Sequence, residues 1–336
     1  MTAGVERHRL AGIEALRGVA AIAVLLCHAA THVDLAFGTP TLRALMRPGH
    51  NGVDLFFVLS GFLLLFIHRR DVGQPVTMAR YARRRVMRIY PVYWLALAAT
   101  IAIALAGGHG WPAPGRLLLS ILLWPSTTVP LHPLAWTLQY EVMFYLIFAL
   151  LLLHRVAGLA AMALWLLAIV TAQVVPIGGG LATNIFAIEF FFGMAAAQML
   201  HSRPPPPRVA AGIATAGAIG FLGGWALEAA GWLYGYGVAA RLVYGLSAAA
   251  MIGGAAGSEA RLRWPQSLIG IGRASYAIYL FHLIGIGVAW QVGTRLGVAL
   301  PPVPWFILLV LAGGLLGVAV HVTVERPLLR WMRRGG

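Results

Sequence analysis

The sequence predicts an all-α integral membrane protein of about ten transmembrane helices, with the N- and C-termini cytoplasmic. Three observations carry this expectation. Of 336 residues, 60% are hydrophobic and only 10% charged, against about 25% charged in an ordinary soluble domain, and mean hydropathy is +0.81. The apolar residues gather in runs of the ~20 that a helix needs to cross a bilayer core. The 25 basic residues are all arginine and crowd between those runs, where cytoplasmic loops carry their positive charge. A soluble two-domain enzyme and a disordered chain fit poorly. The net charge of +15 reads as membrane topology, not as nucleic-acid binding.

Arg7 and Arg9 precede the first apolar run. That run resembles a signal peptide, but Leu26 is too large for cleavage before Cys27, and Glu14 and Arg17 lie in its approach. It therefore reads as a retained helix over 11–32. Further spans are expected at 51–68, 89–107, 136–153, 156–175, 183–200, 209–230, 233–256, 267–290 and 303–324. The run 116–124 is too short to cross and ends in Trp124-Pro125, so it reads as a re-entrant or interfacial piece. With the N-terminus inside, eighteen of the 25 arginines fall on inner segments. Only Arg43, Arg47, Arg116 and Arg295 fall outside. Promoting 116–124 to a full span would invert every later segment and destroy this asymmetry. The stretch 203–208, RPPPPR, reads as a stiff cytoplasmic link between two halves. No internal repeat is evident, and 1–336 reads as a single transmembrane domain. The lone cysteine, Cys27, excludes an intrachain disulfide and a cysteine-based zinc site.

Ionisable side chains inside spans are costly and usually face a protein interior or a wet cavity. The candidates are Glu14, Arg17, His28, Asp54, Glu141, Glu189, Arg241, Arg273 and His282. Arg17 and His28 are eleven residues apart, so they share one helix face about 16 Å apart. Depth counting from the span ends brings His28, Asp54, Glu141 and His282 to one layer in the external half. A histidine beside a carboxylate has its tautomer fixed and its basicity raised; a structural polar knot is the plainer reading. The segment 80–94, RYARRRVMRIYPVYW, places Arg85 and Arg88 on one helical face. Their planar forks suit phosphate, and the same residues also suit anchoring to anionic headgroups. Cys27 sits about 100° around the helix from His28 and reads as a core residue. Ser60 reads as packing or, alternatively, as a nucleophile.

The segments IEALRGVAAIAVLLCHA (13–29), NGVDLFFVLSGFLL (51–64), RRRVMRIYPVYWL (83–95), WTLQYEVMFYL (136–146), IGRASYAIYLFH (271–282) and VERPLLRW (324–331) resemble, in order, those of the acyltransferase 3 family of membrane acyltransferases. The resemblance implies transfer of an acyl group, commonly acetyl, from cytoplasmic acyl-CoA to a hydroxyl on an exported or cell-surface glycan or similar acceptor. The family's arginine–ten residues–histidine motif falls on Arg17 and His28, its RxxR motif on Arg85 and Arg88, and its W-S/T-L-x-x-E carboxylate on Glu141. Asp54 takes the acid place in GVDLFF. Val142 and Met143 depart from the acid and glutamine that many members carry there.

The expected chemistry joins these parts. Arg85 and Arg88 hold the acyl-CoA phosphates at the cytoplasmic mouth, and the pantetheine arm threads past Arg17. His28 acts as general base, with Asp54 or Glu141 orienting its imidazole. His282, Tyr145 and Ser60 are expected on the substrate side. No metal and no nucleic acid are expected; the bilayer is that of a bacterial inner membrane. The rival reading, a multi-span transporter or flippase of a polar or lipid-linked compound, suits the same intramembrane charges.

Overall fold

Long apolar runs satisfy their backbone groups internally only as helices, and the computed structural model bears this out, α4 running on through Pro91. It describes residues 11–175, 180–259 and 262–334; Arg7, Arg9 and Arg261 lie outside these, as do the side chains of Arg333 and Arg334. No strand occurs among the described residues. The helices are α1 (Ala11–Phe37), α2 (Pro40–Met46), α3 (Gly52–His68), α4 (Met78–Ala106), α5 (Pro114–Leu122), α6 (Ala135–Leu153), α7 (Arg155–Thr171), α8 (Ile188–Ser202), α9 (Pro207–Ala229), α10 (Val238–Gly257), α11 (Gln266–Arg295), α12 (Pro302–Val320) and α13 (Arg326–Arg334). Nine helical stretches among the described residues are long and apolar enough to cross a membrane. The tenth expected span is α7, which is shorter at 17 residues. The protein is thus an all-α, multi-pass membrane protein.

The chain forms two compact units, Met1–Leu63 with Phe191–Gly336, and Leu64–Phe190. The division falls inside α3 and α8, not at RPPPPR. That segment joins α8 to α9 within the first unit, which corrects its reading as a link between halves. Its irregular part stays short because Pro207 already serves as the first residue of α9, a place where its missing N–H costs nothing.

In the first unit, α11 packs between α1 and α12, and α9 packs on α10. Helices in lipid gain little from hydrophobic burial and approach closely where residues are small. Gly18 and Gly272 do this between α1 and α11, where a Cβ would run into Leu268 and Glu14 backbone respectively. The tight 3-10 turn Arg47–Asn51 is pressed onto α1 in the same way. A Cβ on Gly49 or Gly52 would strike the carbonyls of Ala23 or Ala20.

In the second unit, α5 falls where the sequence placed its short non-crossing segment. The helix stops at Leu123, the one non-glycine with positive φ (51°) among the described residues. Its last carbonyls lack helical donors one turn on; Leu123 N–H reaches Ser120 O (3.1 Å), and aromatic side chains of α4 supply further donors. Tyr93 donates to Ser120 O (2.7 Å), Trp94 Nε1–H to Ile121 O (2.9 Å) and Tyr90 to Leu122 O (2.8 Å). Gln139 of α6 donates to Trp124 O (2.8 Å). The run YPVYW is therefore a cap for a helix that ends without crossing.

Candidate active site

His28 and His282 face each other from α1 and α11. His282 Nε2 lies 3.1 Å from His28 Nδ1, and the ring centroids are 5.0 Å apart. Each Nδ1 also lies on the carbonyl one turn back: His28 on Val24 O at 3.0 Å, His282 on Ile278 O at 3.1 Å. A carbonyl only accepts, so both Nδ1 atoms carry protons. His28 Nδ1–H is then shared between Val24 O and the bare Nε2 of His282. In the neutral ring this leaves His28 Nε2 unprotonated, an available base. His282 is fully buried, while His28 is half-buried. The convergence expected for these two histidines is present.

Asp54 does not orient that imidazole, contrary to expectation. It opens α3, fully buried, and ion-pairs with the fully buried Arg241 of α10 at 2.5 Å. A carboxylate in the dry interior needs a full counter-charge, and Arg241 supplies it. Arg241 also donates to Asn51 Oδ1 (2.5 Å) and to the Gly235 carbonyl. Asn51 donates in turn to Glu228 Oε2 (2.8 Å), which accepts from Tyr244 as well (3.1 Å). His50 Nε2 lies 2.9 Å from Glu228 Oε1, and Arg47 Nε lies 3.5 Å from the same oxygen. Asn51, His50 and Glu228 were missed in the sequence, although an acid two residues from the end of an expected span was a signal. This network meets α1 beside the histidine pair: the Cys27 thiol donates to Arg47 O at 3.3 Å. Cys27 is thus bonded away from His28, as its place on the helix implied.

The second unit holds Glu141, Tyr145, Arg85 and Arg88. Tyr145 donates its hydroxyl to Glu141 one turn back. The Arg85 guanidinium lies over the Tyr145 ring at 5.5 Å and the Tyr81 ring at 5.8 Å, within the reach of cation–π attraction. Tyr81 donates to Tyr145 O (2.9 Å). Arg85 was expected at the cytoplasmic mouth and Glu141 in the external half, yet one tyrosine joins them. The reason is that α4 begins at Met78, not near 89. Arg85 is seven residues along it, a rise of about 10 Å. Arg88, half-buried, follows one turn later. His68 lies in the same unit, with Nδ1 2.8 Å from Asp71 and its ring edge-on to Tyr81.

The remaining candidates are dispersed. Arg17 Nε–H donates to Ser275 Oγ on α11 (3.2 Å) and lies 3.9 Å from Glu14. Ser60 is half-buried on α3, Arg273 is exposed on α11, and Glu189 is fully buried in the first turn of α8. An acid there is favoured by the helix dipole.

The acyltransferase 3 family model, described as an acyltransferase domain, matches residues 10–322. The exopolysaccharide production protein ExoZ of Rhizobium meliloti (strain 1021) is 32% identical over 310 residues, covering 84% of this chain and 90% of ExoZ. The acyltransferase MdmB of Streptomyces mycarofaciens is 34% identical over 155 residues, 42% of this chain and 39% of MdmB. No solved structure matches. The chain belongs to the acyltransferase 3 family.

Proposed function

We propose that this member of the acyltransferase 3 family is an O-acyltransferase of a bacterial inner membrane. It moves an acyl group, acetyl foremost, from cytoplasmic acyl-CoA to a hydroxyl of an exported glycan or glycosylated molecule. The observation that carries the reading is His28 Nε2, left bare by two backbone carbonyls and His282. The likeness to ExoZ, named for exopolysaccharide production, supports a glycan acceptor.

His28 Nε2 takes the proton of the acceptor hydroxyl as its oxygen attacks the thioester carbonyl. The tetrahedral adduct then expels the CoA thiolate, which recovers that proton from the imidazolium, giving ester and free thiol. Imidazolium formation is tolerable because Nδ1–H keeps its two acceptors throughout. Arg17, fixed by Ser275, meets polar groups of the donor arm. Arg85 and Arg88 attract its phosphates, with Tyr81, Tyr145 and Glu141 holding Arg85 in place. Ser60 is assigned to the substrate side.

The test uses the full chain in nanodiscs with acetyl-CoA and cell-surface glycan from the host, reading release of CoA thiol and ester formation. His28→Ala should lower transfer by about 10²–10⁴-fold, the usual contribution of general base catalysis, with acetyl-CoA binding retained. Full activity in that variant removes the histidine from the chemistry.

A further inference from the structure

Beside the histidine pair stands a second feature that the reaction scheme leaves unused. The link from α9 to α10 reads GWLYGYG, residues 231–237. Its aromatic side chains are open: Trp232 is 83% exposed, Tyr234 72% and Tyr236 53%. Exposed rings at helix ends commonly serve as anchors at the membrane interface. Anchors need no particular orientation, but the loop that carries these rings is held on a fixed frame, and the Tyr236 ring is stacked on it. The α9 end closes as a Schellman turn, with Gly231 at φ +80°, Trp232 N–H on Leu227 O (2.9 Å) and Gly231 N–H on Glu228 O (3.0 Å). Gly237 N–H closes a turn on Tyr234 O (2.9 Å), and Arg241 grips the Gly235 carbonyl. The Tyr236 ring lies flat on His50, centroids 4.4 Å apart and planes within 7°. His50 is held by Glu228, and Glu228 by Asn51 and Tyr244.

We propose that Trp232, Tyr234 and Tyr236, mounted on the His50–Glu228 frame, form the platform that seats a pyranose ring of the acceptor. The chemistry is that of an aromatic face, electron-rich at its centre, against the weakly positive axial C–H groups of a sugar. Hydroxyls at the sugar's edge find His50 and the phenols as hydrogen-bond partners. The position suits the task, because the turn carrying His50 packs on α1 at Cys27, the residue before His28. The loop and the base are thus tied, through the His50 turn, to the same turn of α1. Both the 43–51 stretch and the 231–237 loop belong to the side that the arginine asymmetry assigns to the exterior, where an exported glycan would be met.

This inference rests on the proposed acyl transfer to a glycan, and the experiment separates the two. The full chain in nanodiscs is applied to an array of neutral and acidic pyranosyl oligosaccharides. The unaltered chain should bind a subset. Trp232→Ala with Tyr234→Ala should weaken that binding at least about tenfold, the scale of lost ring contacts, and Trp232→Phe with Tyr234→Phe should retain it. On the unaltered chain, hydroxyl-radical labelling of Trp232 and Tyr234 should fall when the bound oligosaccharide is added. This second readout needs no variant to fold. Absence of binding to every array member, or equal labelling with and without sugar, overturns the platform; equal labelling would mark the rings as membrane anchors. His28→Ala should still bind the array. If it also still transfers acetyl, the catalytic reading falls while the platform stands.

Discussion

Two polar centres lie in the first unit, and they are built on opposite principles. His28 and His282 meet as neutral rings, each tied to a backbone carbonyl, with one nitrogen left over for an outside proton. Asp54 and Arg241 meet as full charges, both fully buried, and the surrounding groups of Asn51, Glu228 and Tyr244 are bonded to one another. The contrast separates groups committed to each other from a ring that can still accept a proton. A neutral ring survives in an apolar bundle at little cost and still accepts a proton. A pair of opposite charges in the same surroundings holds two helices together, and its groups are committed to each other. Asp54, expected beside the histidine from its depth, is paired with Arg241 instead.

Variants can break or sharpen this distinction. The largest effect is expected for Asp54→Ala, which leaves Arg241 as an uncompensated buried charge. It should cost roughly 3–5 kcal/mol of stability, read as a lowered melting temperature in detergent. Asp54→Leu combined with Arg241→Met should recover most of that loss, which a catalytic carboxylate would not permit for activity. A smaller effect, confined to turnover, is expected for His282→Leu. It removes the acceptor of one hydrogen bond worth about 0.5–1.5 kcal/mol, so kcat should fall roughly twofold to tenfold with little change in melting. His282→Gln, which keeps an acceptor, should be closer to the parent. The smallest belongs to Arg47→Gln. Arg47 is half-exposed and Glu228 keeps its other partners, so the change should stay within about 1 kcal/mol, again read by melting. A large loss there would mean that the rim of the network carries its strength.

The sequence made much of this legible, and the failures have separate physical causes. Apolar runs and arginine placement located the helices and the short α5, because the bilayer imposes length and charge rules on each segment separately. His28 and His282 could be paired because each one's depth follows from counting along its own helix. Neighbour choice follows from no such count. Nothing in GVDLFF says that Asp54 faces Arg241, 187 positions later, when a histidine at similar depth competes for it. The Arg85–Tyr145–Glu141 cluster was hidden for another reason. Five arginines in nine residues were read as preceding a span, whereas α4 already runs through them. Tyr81 of α4 and Tyr145 of α6 supply the stacking surfaces for that guanidinium. His50 and Asn51 were invisible because a short polar turn looks the same whether it is solvated or folded back onto a helix.

The contact between the Arg47–Asn51 turn and α1 sets how this protein can vary. Gly49 and Gly52 bring main chain against main chain at Ala23 and Ala20, with no side chain between to absorb a shift. One added methyl group would displace His50 and the helix bearing His28 together. Substitution therefore has little room at that seam and more at Trp232 and Tyr234 in the 231–237 loop, whose side chains stand exposed.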